Sequence, residues 1–352
     1  METMLTHTSA LEALRMLVRA PVREPFAMPD AHPDVEGAVR SWQEAFGSNP
    51  TLPLHVLVPP GSPRVRSCGL ITHAMSGDGV PRGSIRLVSG LSAVLPEDLC
   101  LRMAPGLTKL ELLVLMEEPM GTYAIREDLP DGMLTRPFAL LTPDDVRACI
   151  ASAAGQRGAN RVRWAFGRTI PGSASPRESK LALRLSLKPA LGGYGLCVLA
   201  LNREVEVASV GGALTQVRRP DVLLCNPELG ERGPLVALEY DGAVHLEEER
   251  HSRDIRRTNE LVAAGLSEYV LDKALYGSQR YMDSLVTRIR HDLGLSRQHL
   301  SKAQEEARSA RRRELYEELE RIDGITWNGR SRKAEEPQPE PDDVVPLEAY
   351  GV

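Results

Sequence analysis

The sequence predicts an α/β protein in which a mixed sheet flanked by helices is preceded by a smaller mixed α/β domain and followed by a charged helix and a disordered acidic tail. Three observations predict it. From residue 172 to 295 the periodicity switches in the order helix, strands, helix, strand, helix. From residue 1 to 150, short strand-like runs punctuated by Pro and Gly alternate with amphipathic helices. Beyond 296, "SKAQEEARSARRRELYEELERI" reads as a charged helix with little apolar stripe, and "AEEPQPEPDDVVP" carries too few apolar residues to order itself or to take part in chemistry. The predicted organisation is therefore residues 1–150, a helical connector over 151–171, residues 172–295, and residues 296–352.

The elements follow in order. Ser9 and Glu12 have the S-x-x-E spacing of a capping box, with Leu11, Leu14 and Val18 forming an apolar stripe behind it. Prolines 21, 25, 29 and 33 keep the next segment irregular until a helix at "DVEGAVRSWQEAF". "LPLHVLVPPG" and "GSIRLVSG" read as strands and "LTKLELLVLMEEPM" as a helix. His55 and His73, near the strands, read as packing residues. In "LTPDDVRACIASAAG", Thr142 suits the N-cap, Pro143 the first helical position and Asp145 the capping-box return. "ANRVRWAFGR" is the connector helix, and "SASPRES" opens another, with Ser175, Pro176 and Glu178 at N-cap, N1 and N3.

Composition removes several function classes. With 352 residues, 42% of them hydrophobic, the chain can bury a sizeable core. Five cysteines, odd in number and never spaced C-x-x-C, suggest neither a disulfide framework nor a zinc site and fit a reducing cytoplasm. No apolar run reaches the roughly 18 residues of a membrane-spanning helix, and Glu12, Arg15 and Arg19 interrupt the N-terminal apolar pattern as no signal-peptide core would. A net charge of −5 argues against coating nucleic acid by bulk charge, yet arginines gather locally at 157–184, at 218 and 219, and at 250–257.

The chemistry gathers around "VALEYDGAVH", residues 236–245, where a strand pattern carries Glu239, Asp241 and His245. "RRPDVLLC" and "PLVALEYD" flank the turn-rich "NPELGERG", so an antiparallel hairpin is expected, with Asp221 falling within about one residue of Glu239. Period two puts Val236, Leu238 and Tyr240 on one face and Ala237, Glu239 and Asp241 on the other. An edge strand facing solvent explains such an acidic face, and so does a metal-binding cleft.

These residues carry a resemblance. P-D, a hairpin, E-x-D-G-x-x-H, then D-x-x-R-x-x-x-L with a later Gly (Pro220, Asp221, Glu239, Asp241, Gly242, His245, Asp254, Arg257, Leu261, Gly265) resembles the PD-(D/E)xK restriction-endonuclease-like superfamily. More narrowly it resembles the very-short-patch-repair (Vsr-like) endonuclease domains of the actinobacterial type, over residues 172–295, and the opening "SASPRES" is similar to theirs. Residues 50–150 are more faintly similar to the region that precedes such domains in AbiEi-like antitoxin proteins. The resemblance implies a metal-dependent DNA endonuclease or nickase, in repair or phage defence, with Asp221, Glu239 and Glu178 holding Mg²⁺ or Mn²⁺. It implies DNA as partner. It implies Asp241 in place of the family's lysine, His245 as base or transition-state donor, and Arg219, Arg253, Asp254 and Arg257 in contact with DNA or ordering the site. Each also has a plainer reading: Glu178 as a capping residue, His245 bonded to backbone, Asp254 and Arg257 as a surface ion pair. The alternative function is a non-catalytic DNA-binding or antitoxin-like regulator that keeps the nuclease fold.

Overall fold

The computed structural model describes residues 2–75, 79–208, 215–241, 266–296, 299–327 and 329. The chain forms two units, Met1–Thr169 with Gly324–Val352, and Ile170–Asp323. The boundary lies at 169/170, and the connector helix belongs to the first unit. Both units are mixed α/β, with ten helices among the described residues. None of these is long and apolar enough to cross a membrane.

The first unit runs β1 (Thr3–Leu5), α1 (His7–Arg15), β2 (Arg23–Glu24), α2 (Val35–Phe46), β3 (Leu54–Val58), β4 (Leu70–Ala74), β5 (Ser84–Val88), β6 (Leu91–Val94), α3 (Pro96–Met103), α4 (Lys109–Met120), β7 (Tyr123–Ile125), β8 (Met133–Thr135), α5 (Pro143–Ser152) and α6 (Ala159–Phe166). Six strands form one mixed sheet in the order β2-β5-β6-β1-β3-β4, and β7 pairs with β8 separately. β1 lies parallel to β6 and antiparallel to β3, which is parallel to β4.

The expected capping box of α1 is not formed. Ser9 Oγ accepts the His55 N–H at 2.9 Å, and the Glu12 carboxylate accepts the Thr51 N–H at 3.1 Å. Both side chains are engaged in tertiary bonds, so the helix starts as soon as β1 ends, with Thr6 at its N-cap. At α5 the box closes as expected, between Thr142 and Asp145.

Helix α4 is buried on all sides, with Leu112, Leu113, Leu115 and Met116 at 0% exposure. Two of its buried glutamates are held by hydrogen bonds. Glu118 takes a two-pronged bond from Arg15 at 2.7 and 2.6 Å, and Glu111 accepts the Thr108 N–H at 2.7 Å and the Gly329 N–H at 3.1 Å. Arg15 also donates to the Gly324 carbonyl at 2.7 Å. The chain therefore returns to the first unit at 324–329. Residues 330–352 lie outside the described residues.

The second unit runs α7 (Pro176–Ser186), β9 (Cys197–Leu201), β10 (Val205–Ala208), β11 (Thr215–Arg218), β12 (Val222–Cys225), β13 (Leu235–Asp241), β14 (Leu266–Asp272), α8 (Lys273–Gly277), α9 (Gln279–Asp292) and α10 (Lys302–Arg321). The sheet order is β14-β13-β12-β9, so the predicted hairpin occupies its centre. β12 is antiparallel to both neighbours, and β13 and β14 are parallel. Val222, Leu224, Val236 and Leu238 point into one core with Leu181 and Leu185 of α7 and Met282 and Ile289 of α9. On the other face Leu223, Ala237 and Leu266 form a smaller cluster. Helix α10, charged as its sequence reads, buries only Leu315 and Leu319 among its residues and is tied by Arg177–Glu320 at 2.7 Å and Arg312–Asp283 at 2.5 Å. The helix expected between the hairpin and the following strand falls on residues 242–265, outside the described residues.

Candidate functional site

The pairing that the sequence left open is resolved by the central strands. Val222 pairs with Leu238 and Leu223 with Ala237, so continuing the register by one residue sets Asp221 opposite Glu239. Directly opposed residues share a face, with Cα atoms about 4.5–5.5 Å apart. Because Val222 and Leu238 face the large core, Asp221 and Glu239 face the other way, with Asp241 two residues further along the same face. Asp221 and Glu239 are half-buried and Asp241 is exposed.

Asp221 is held in place by backbone. Its Oδ2 accepts the Tyr240 N–H at 2.7 Å, and its carbonyl accepts the Asn202 N–H at 3.2 Å. Asn202, just past β9, has a left-handed φ of 50°, a conformation that Asn tolerates better than most residues. From there its amide donates to Glu178 Oε2 at 2.6 Å and to the Gly172 carbonyl at 3.1 Å. Arg219 donates to the Asn202 carbonyl at 2.6 Å. Asn202 thus joins Glu178, Arg219 and Asp221. The sequence reading passed over it, although an Asn between two strand-like runs is a turn signal.

Ser175 caps α7 as expected, accepting the Glu178 N–H at 3.2 Å, but the Glu178 carboxylate turns to the Ala174 N–H at 2.7 Å rather than completing a reciprocal box. Glu178, Asp221 and Glu239 do not form a group of three whose ligand oxygens lie within 4.8 Å of one another. Asp241 pairs with Asp272 across the parallel strands, and Asp272 Oδ1 caps α8 by accepting the Leu275 N–H at 2.7 Å. Lys273, the first residue of α8, is exposed. Gly242, His245, Arg253, Asp254, Arg257, Leu261 and Gly265 lie outside the described residues. The donor set that remains is two carboxylates on adjacent strands, hard oxygen donors of the kind that fit Mg²⁺, which keeps several waters and needs only one or two carboxylates.

Among the described residues, a single group of three His, Cys, Asp or Glu side chains offers ligand atoms within 4.8 Å of one another: His7, His55 and His73, in the first unit. His7 opens α1 at a left-handed φ of 49° and stacks on His73 with ring centroids 3.7 Å apart. His55 Nδ1 and His73 Nε2 lie 3.0 Å apart. Burial, followed by the mutual effect of the rings, pushes His7 down to about 2 and His73 down to about 4; His55 is lowered by burial and by Arg66. The three rings are therefore neutral near pH 7. Reading His55 and His73 as packing residues missed this cluster because its third member comes from residue 7. All five cysteines are free.

No protein-family model matches the chain, and no curated protein and no solved structure matches it either.

Proposed function

We propose that the second unit is a metal-dependent DNA endonuclease or nickase of the restriction-endonuclease-like kind, acting in the cytoplasm in DNA repair or phage defence. The observation that carries this reading is the opposition of Asp221 and Glu239 on one face at the same end of the two central strands. The order of α7, β9, β12, β13, β14 and α9, with an antiparallel hairpin beside a parallel strand, supports the fold.

Asp221 and Glu239 would hold Mg²⁺ or Mn²⁺, which when bound neutralises phosphate charge and makes an attacking water more acidic. The Tyr240 N–H orients one Asp221 oxygen, so the carboxylate is fixed before any ligand arrives. Glu178 acts through Asn202, pinning the backbone at Asp221, and Arg219 stands at the same junction with its charge available to the DNA backbone. His245 is assigned the proton transfer and Asp241 the lysine's place in the motif; Arg253, Asp254 and Arg257 are assigned to ordering the site and holding phosphate.

The test is conversion of supercoiled plasmid to nicked circles with Mg²⁺ or Mn²⁺ against EDTA. Metal-dependent nicking that Asp221→Asn abolishes supports the nuclease. Asp241, standing where the family has lysine, favours the regulator instead, and DNA binding that is insensitive to metal and accompanied by no nicking would establish that second reading.

A further inference from the structure

We propose that His7, His55 and His73 form a divalent transition-metal site of the zinc class in the first unit, whose open coordination position takes an anionic group, phosphate or carboxylate, from an arginine-lined pocket. The site is built by three neighbouring strands. Leu5 pairs with Val56, and the Thr6 N–H bonds to the His55 carbonyl at 2.9 Å, which sets the start of α1 beside His55. His55 pairs with Ile71 in the parallel register of β3 and β4, so His73, two residues on, shares its face. His7 completes the group only because its backbone adopts a left-handed conformation that non-glycine residues rarely take. Thr6 Oγ1 lies 3.2 Å from His7 Nδ1, as the outer partner of a metal-bound imidazole does.

The spacing suits an ion. Tetrahedral zinc at its usual distance to nitrogen separates its ligand atoms by roughly 3.3 Å, against the 3.0 Å between His55 Nδ1 and His73 Nε2 and the 4.8 Å limit within which all three ligand atoms fall. Imidazole selects this class of metal over Mg²⁺ or Ca²⁺, which prefer oxygen. Three protein ligands leave the fourth position for a water or an outside ligand.

The pocket says what that ligand is. A cavity of about 580 Å³ is lined by His7 and His73 and by Arg64, Arg66, Arg102 and Arg157, with no acidic side chain among its described lining residues. Arg64, Arg66 and Arg157 are exposed, so their guanidinium groups can be reached from solvent. Four cations beside a site for a cation oppose the bare metal and favour the metal with an anion on it. Metal and anion must therefore strengthen each other, and reciprocally.

The experiment is titration of the full chain with Co²⁺, followed by its visible absorption, without and with inorganic phosphate. The proposal expects the strong bands of tetrahedral nitrogen-ligated cobalt at one equivalent, with affinity rising when phosphate is present. His73→Gln and His55→Gln should each weaken binding by more than about 100-fold, since loss of an outer partner alone costs 10- to 100-fold. Arg157→Gln should keep the bands and reduce the phosphate effect, which separates the anion pocket from the ligands. If a histidine variant melts early, His55→Cys, a smaller soft ligand that should shift the bands rather than remove them, keeps the test decisive. Absence of tetrahedral bands, or bands unchanged in both histidine variants, would overturn the metal site; affinity indifferent to phosphate would overturn the anionic ligand.

Discussion

The two units assemble donor atoms by opposite routes. In the second unit two carboxylates sit on a hairpin, 18 residues apart in sequence as Asp221 and Glu239, and local strand pairing is enough to bring them face to face. In the first unit three histidines come from residues 7, 55 and 73, and only the order β1-β3-β4 within a six-stranded sheet brings them together. The donor chemistry differs likewise: oxygen for hard cations in one, imidazole nitrogen for softer ones in the other. Contacts closed by a hairpin are visible in sequence; those closed by sheet topology are not.

The largest expected effect breaks the comparison on the oxygen side. Asp221→Asn or Glu239→Gln should lower plasmid nicking by at least about 100-fold, since loss of an outer partner alone costs about 10- to 100-fold. Glu178→Gln keeps an acceptor for Asn202 and Ala174 and should cost much less than either. A Glu178→Gln variant as inactive as Asp221→Asn would make Glu178 a ligand rather than a positioning residue.

Truncation after Arg321 comes next. It removes the Gly324 carbonyl from Arg15 and the Gly329 N–H from Glu111, both buried, at about 1–3 kcal/mol for each partner lost. Urea unfolding should show the first unit destabilised, whereas an unchanged midpoint would mean that the returning segment carries no stability. Ser9→Ala and Ser175→Ala sharpen the contrast between a tertiary and a local role. Ser9→Ala leaves the His55 N–H without its acceptor and should cost about 1–3 kcal/mol, against about 1 kcal/mol for removing the cap of α7.

The smallest effect concerns thiols. Burial raises Cys149 to about 12 and Cys100 further still, so both remain protonated and unreactive at pH 8. At pH 8 alkylation should reach exposed Cys68 while Cys100 and Cys149 stay unlabelled until the chain unfolds. Mass spectrometry of peptides after pulse labelling checks this.

Legibility in the sequence followed the same division. Helices α2, α4, α5, α6, α7 and α9 and the central hairpin were readable because caps and periodicity are local: Thr142 with Asp145, Ser175 before Pro176, Val236 and Leu238 alternating with Ala237 and Glu239. Strands β1, β4 and β6 were not, because three to five residues carry too little pattern and are strands through their neighbours. The S-x-x-E at Ser9 misled because tertiary acceptors and donors outcompeted the local cap. At the site, the opposition of Asp221 and Glu239 was within reach of sequence, while the shared face needed the register, and Asn202 needed its backbone conformation.

The most direct measurement is Mg²⁺ binding by isothermal calorimetry to the wild type, Asp221→Asn, Glu239→Gln and His73→Gln. The account predicts an isotherm for the wild type and for His73→Gln that is lost or greatly weakened in Asp221→Asn and Glu239→Gln, with each variant folded by circular dichroism. A wild type without an isotherm, or one that survives unchanged in both carboxylate variants, would contradict it.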